Sequence, residues 1–141
     1  MKVGKYTLIF SEYNEETGES VSRINTDVGT FEGCAKLHPE EKYESKYLGC
    51  QIAELRALKK YCRELVKIGK AQKKALIEAY NTLAQMTDFK YDSMYASKLR
   101  RAIAEKNEWI CARKNDIIMI EIGIERTINE YATVRDKMMR G

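Results

Sequence analysis

A single histidine, His38, in 141 residues removes most constellations by which proteins carry out acid-base or nucleophilic chemistry. No GxSxG, HExxH, Walker or deaminase pattern takes its place. The carboxylate pairs Glu15/Glu16 and Glu40/Glu41 lie in polar surroundings that give no cause for a displaced pKa. The chain therefore reads as something other than an enzyme, and no cofactor is expected. Its four cysteines, Cys34, Cys50, Cys62 and Cys111, share no close spacing, which argues against a zinc site and for reduced, small apolar residues in the cytosol. No apolar run approaches the roughly 18 residues of a membrane span, and the first residues lack the charged head and apolar stretch of a secretory signal. The excess of 25 basic over 21 acidic residues is too small to predict general nucleic-acid binding.

What is present is helix. From Ser93 to Arg140 apolar residues recur at a seven-residue interval through Ile103, Ile110, Ile117, Ile124, Tyr131 and Met138, with Leu99, Ile120 and Val134 at the offset of three. Lys106 and Arg113 occupy two of those offset positions, with Asn107 and Trp109 beside them. An unpaired cation is costly to bury, so this part of the seam is expected to face a partner chain, a carboxylate or an anionic ligand. The alternative is that long stems lie across the seam while their heads reach solvent. A second helix is expected over 47–86, with Leu55, Cys62, Leu76 and Leu83 at heptad spacing and Leu58, Leu65, Ala79 and Met86 three further on. At about 1.5 Å per residue each helix extends roughly 60 Å or more, and the pair can lie antiparallel across a short loop, 87–92. Gly69 and Gln72 interrupt the first stripe near the level of the seam cations, where the packing could widen into a pocket.

The N-terminal 30 residues read as a β-hairpin. Tyr6, Leu8 and Phe10 alternate with Thr7, Ile9 and Ser11, Asn14 to Gly18 supplies a turn, and Val21 to Val28 a second strand. Two strands are marginal alone, so the apolar side chains around Tyr6, Phe10 and Ile24 are expected to dock on helices or at a subunit boundary, with Arg23 beside that contact. Residues 31–46, punctuated by Gly33 and Pro39, read as an ordered turn segment with a short helical piece from Pro39. Glycines there could admit a ligand to the backbone, or could merely tighten a connection between strand and helix. The loop aromatics Phe89 and Tyr91 have two readings, a hydrophobic plug at the hairpin end or a stacking surface for a purine base. Asp92 or Ser93 is placed to cap the last helix.

The fold expected is thus a single mainly α domain with a small β part: an N-terminal antiparallel β-hairpin, then a long antiparallel helical hairpin, oligomerising through the helices. Long helices with few crossings bury little surface per residue, and the apolar stripe is wider than one helix contact covers. The acidic residues cluster before residue 50, while Lys59, Lys60, Lys67, Lys70, Lys73, Lys74, Lys98, Arg100 and Arg101 make the helices basic, mostly as a solvated face.

The opening KYTLIFSEYN, the segment FEGCAKLHPEEKY followed by LGCQIAELRALKKY, and the closing pair of long helices together resemble the Thoeris anti-defence proteins of phages, specifically the first described, sponge-type family. The resemblance covers essentially the whole chain. It implies a non-enzymatic sponge in the cytoplasm of the infected bacterial host that sequesters cyclic ADP-ribose isomers made by TIR-domain defence enzymes. It also implies assembly as a homodimer, with hexamers built as trimers of dimers that take cyclic oligonucleotides as well, and ligand pockets between protomers. Such pockets pair cations that hold phosphates with an aromatic that stacks on the base. The expected ligand-binding set on these grounds is Lys106, Asn107 and Arg113 for phosphate, Phe89, Tyr91 or Trp109 for the base, and Arg23 and Arg56 in addition. The rival reading is a helical protein-interaction module that inhibits a bacterial defence protein.

Overall fold

The computed structural model describes residues 5–36, 46–86, 89–91 and 93–140, with Lys46, Tyr47 and the final ten of these as helical backbone only. The short helical piece expected from Pro39, together with His38, Glu40, Glu41 and Asp92, lies outside the described residues, as do the side chains of the seam positions Tyr131, Val134 and Met138. Three strands, β1 (Tyr6–Asn14), β2 (Glu19–Thr26) and β3 (Gly29–Lys36), precede two helices, α1 (Lys46–Ala84) and α2 (Met94–Arg140). The helix limits fall within two residues of those expected. The chain divides into two compact units, Met1–Cys62 with Asp116–Gly141, and Arg63–Asn115.

In the first unit the strands form an antiparallel sheet in the order β1-β2-β3. The turn segment expected from residue 31 is therefore corrected to a strand. The second strand ends at Thr26 instead of Val28, Gly29 supplies the φ of +135° that the tight turn needs, and β3 returns along β2 with Ile24 opposite Phe31 and Ser22 opposite Gly33. At the other hairpin Asn14 holds the turn, its Oδ1 accepting from the backbone N–H groups of Glu16 and Thr17, and Gly18 follows at φ +72°.

The alternation read for β1 is corrected too. The register slips between Leu8 and Phe10, so Leu8 stands opposite Ile24 while Phe10 stands opposite Arg23. A bulge of one residue moves every later side chain to the other face. Phe10 accordingly lies under the Arg23 guanidinium, 5.1 Å from its carbon, on the outer face, and of the two dockings expected of it the one on α1 falls to other residues.

Apart from Ile24, the buried inner face of the sheet is made of small residues. Ser20, Ser22, Ile24, Gly33 and Ala35 are buried, and α1 brings Ala53 and Ala57 against them. A side chain at Gly33 would run into the Ala53 carbonyl and the Ala57 amide of α1, so the glycine admits a helix backbone and not a ligand. Ser22 Oγ donates to the Cys50 carbonyl at 3.2 Å and takes the Ser11 hydroxyl at 2.7 Å. Tyr61, buried in α1, tilts against Phe31 and donates to Asp27 at 2.7 Å in the β2–β3 turn. Tyr6 donates to Glu54; partial burial, then the neighbouring carboxylate, raises the Tyr6 pKa above its usual value. The other side of α1 meets α2 within the same unit: Ile124 packs on the Ala35, Ile52 and Ala53 cluster, Leu55 faces Gly123, and Lys59 pairs with Glu121 at 3.1 Å. Buried on both sides, this stretch of α1 holds most of the apolar core, each full side chain contributing about 1.5 to 3 kcal/mol.

In the second unit the remainder of α1 and the first part of α2 run antiparallel, with Gln72 opposite Lys106, and Gly69 opposite Trp109 and Ile110. Leu65, Val66, Ala96 and Ile110 are buried here. Ser93 caps α2, its Oγ accepting from the Ala96 amide at 3.2 Å.

Candidate functional site

The seam cations and Trp109 meet on the second unit. Heptad periodicity carries Lys106, Trp109 and Arg113 along one side of α2, since residues three and four apart share a helix face. The Lys106 ammonium lies 5.0 Å from the centroid of the Trp109 ring and the Arg113 guanidinium carbon 5.5 Å, both within cation–π reach. Lys106 Nζ also donates to Gln72 Oε1 at 2.8 Å, and Lys73 Nζ donates to Asn107 Oδ1 at 2.9 Å, so two cross-helix bonds lace the same level. All three cations are half-buried. Lys106 and Arg113 converge on one indole, while Lys73 reaches Asn107 across the helix pair.

The polar partners of the two lysines are amides. A carboxylate in place of Gln72 or Asn107 would neutralise the charge, whereas an amide oxygen satisfies the ammonium and leaves the field positive. A phosphate oxygen competes well for such a donor, because a charge-assisted bond is roughly twice as strong as one to a neutral acceptor.

At the level of Gly69 and Gln72, where the stripe is weakened, side chains from α2 come close to α1. The Trp109 benzo edge fills the space that the missing Gly69 side chain leaves, and Gln72 is the acceptor for Lys106.

The loop aromatics lie at the hairpin end, roughly 24 Å along α2 from Trp109. Phe89 is half-buried and meets Tyr80 edge to face at 6.0 Å, beside a 240 Å³ cleft lined by Leu83, Met86, Phe89, Lys90 and Ser93. Tyr91 is 64% exposed, with the Arg100 guanidinium 3.9 Å from its ring centroid and Arg100 Nη1 donating to its carbonyl at 2.6 Å. The remaining two expected residues belong to the sheet-bearing unit and are engaged locally. Arg23 pairs with Glu32 at 2.7 Å on the outer face of the sheet, and Arg56 Nη1 donates to the Cys34 carbonyl of β3 at 2.7 Å. The structure thus gathers Lys106, Asn107, Trp109 and Arg113, and leaves Phe89 with Tyr91 at the loop and Arg23 with Arg56 beside the sheet.

Lys73, Gln72 and Gly69 join the site from α1. Lys73 reads as part of a solvated basic face in the sequence; only the antiparallel register, which sets it against Asn107, distinguishes it from Lys74. A larger groove of 680 Å³ at the β1–β2 turn is lined by Glu12, Glu15, Glu16 and Glu19 together with Tyr13, Asn14 and Val21, a field that repels phosphate. Among the described residues no group of histidine, cysteine or carboxylate side chains is arranged to hold a metal ion, and no helix is long and apolar enough to cross a membrane.

Comparison with protein-family models, with curated proteins and with solved structures finds no match for this chain.

Proposed function

We propose that this chain is a phage-encoded anti-defence sponge that binds cyclic ADP-ribose isomers and holds them without degrading them, blocking Thoeris-type immunity in the cytoplasm of the infected host. Cyclic oligonucleotides, and with them CBASS-type signals, are a second ligand class of the same chemistry. The observation that carries the reading is the convergence of Lys106 and Arg113 on Trp109, with Lys73 bonded to the adjacent Asn107 and amides for the lysines' partners. A cyclic ADP-ribose isomer presents a pyrophosphate between two ribose groups, and a pyrophosphate is a strong ligand for convergent half-buried cations.

Sequestration also needs a wall that shuts out water, and one protomer supports only part of it. Ile118, Met119 and Ile122 of α2 are exposed on neighbouring turns, an apolar strip of the kind a second copy covers. A homodimer follows, with a trimer of dimers as the larger assembly and Tyr91 available as an aromatic wall to a neighbouring protomer. The reading as a protein-interaction module has its own observation: Met86, Tyr91, Met94 and Tyr95 are all well exposed around the helical hairpin end, a composition typical of protein contacts.

A thermal-shift panel of cyclic ADP-ribose isomers and cyclic oligonucleotides tests the choice. At least one should raise the melting temperature of the wild type. Lys106→Ala and Arg113→Ala should each weaken that ligand by about 1.5 to 3 kcal/mol, roughly tenfold to a hundredfold, with the unliganded melting temperature little changed. Arg23→Ala and Arg56→Ala, measured alongside, tell whether the sheet surface adds a second contact. Shifts unaltered by loss of either seam cation would place the ligand elsewhere.

A further inference from the structure

Gly69 lies inside α1, where glycine is a poorer choice than alanine because it loses more backbone freedom on folding. A Cβ at this position would fall 2.7 Å from Cζ3 and 3.0 Å from Cε3 of Trp109, and 2.9 Å from Cγ1 of Ile110. Gly123 in α2 differs: a Cβ there would meet only Leu55 Cδ1, at 3.7 Å, an ordinary contact. The indole therefore uses the absence of a side chain at Gly69, resting its benzo edge against α1, and Lys106 and Arg113 extend over that same ring. One turn further along α1, Gln72 holds the Lys106 ammonium. Any outward shift of the ring displaces the platform shared by both cations.

We propose that Gly69 is the positioning residue that makes this site select the phosphate part of its ligand and not the base: by seating Trp109 against α1, it makes the indole a platform for Lys106 and Arg113. This rests on the reading of the cluster as a nucleotide site. A base stacking on the indole would have to displace the cations from it, whereas a phosphate binds the cations where they are.

Trp109 is the only tryptophan of the chain, so its emission reports on this ring alone. Inorganic pyrophosphate and adenosine are titrated separately into the full-length wild type, Gly69→Ala and Gly123→Ala, following Trp109 emission and heats of binding. Pyrophosphate should give a saturable change in the wild type, adenosine at equal concentration none. Gly69→Ala should move the emission to longer wavelength and weaken pyrophosphate at least tenfold, while Gly123→Ala should behave as wild type. If Gly69→Ala fails to fold, it is combined with Trp109→Phe, whose smaller ring clears the added methyl. The double variant should then bind pyrophosphate as Trp109→Phe alone does, and a tenfold deficit against that single variant would refute the positioning role. Unchanged emission and affinity in Gly69→Ala, or an adenosine response matching that of pyrophosphate, would overturn the proposal. Cyclic nucleotide binding by a wild type that ignores pyrophosphate would overturn phosphate selection and leave the sponge standing; a wild type that binds neither would end both.

Discussion

The inner face of the sheet sets two serines side by side in opposite circumstances. Ser20 and Ser22 are both fully buried, but Ser22 donates to Cys50 and accepts from Ser11, while the Ser20 hydroxyl has no partner among the described residues. A buried hydroxyl without a partner bears its desolvation cost uncompensated, and removing it relieves that cost. Ser20→Ala is therefore expected to leave stability unchanged or raise it, and Ser22→Ala to lower it by about 1 kcal/mol, read as midpoints of urea unfolding. The same accounting of partners gives the candidate site its character. Lys106 was legible in the sequence as a cation at a leucine position, but its Gln72 partner 34 residues away was not, because no local rule names the residue across a helix pair.

Among the elements, the two helices were legible almost to the residue, since a heptad stripe over forty positions admits few other structures. The third strand was not. GTFEGCAK carries two glycines and little alternation, and what makes it a strand is tertiary: β2 supplies its hydrogen bonds and α1 requires its small side chains. The bulge in β1 was hidden likewise, because Leu8, Ile9 and Phe10 are all apolar and either face could claim each. The α2 seam makes a direct prediction. Ile120 is fully buried and Ile118, two residues away, is 53% exposed. Ile120→Asp should cost about 3 kcal/mol or more or prevent folding, while Ile118→Asp should keep the helical circular dichroism and a cooperative melt. Equal damage from the two would mean that the stripe has been assigned to the wrong face.

For the molecule as a whole, the exposed strip of Ile118, Met119 and Ile122 and the proposed ligand site lead to one expectation about size. The wild type should have at least the mass of a dimer by light scattering at micromolar concentration, and Ile118→Asp should lower it; a wild type of monomer mass would remove the second copy. The proposed function draws on what the described site contains: cations, amides and an indole. On the proposed reading the protein lowers the free concentration of a signal by holding it. The decisive measurement is to incubate excess protein with cyclic ADP-ribose isomers, remove the free fraction by ultrafiltration, denature the protein by heat, and identify the released nucleotide by chromatography and mass spectrometry. The sponge reading predicts that one isomer disappears from the filtrate and returns intact on heating. Linear product formed at a rate proportional to protein, or a filtrate from which no isomer is depleted, would contradict it.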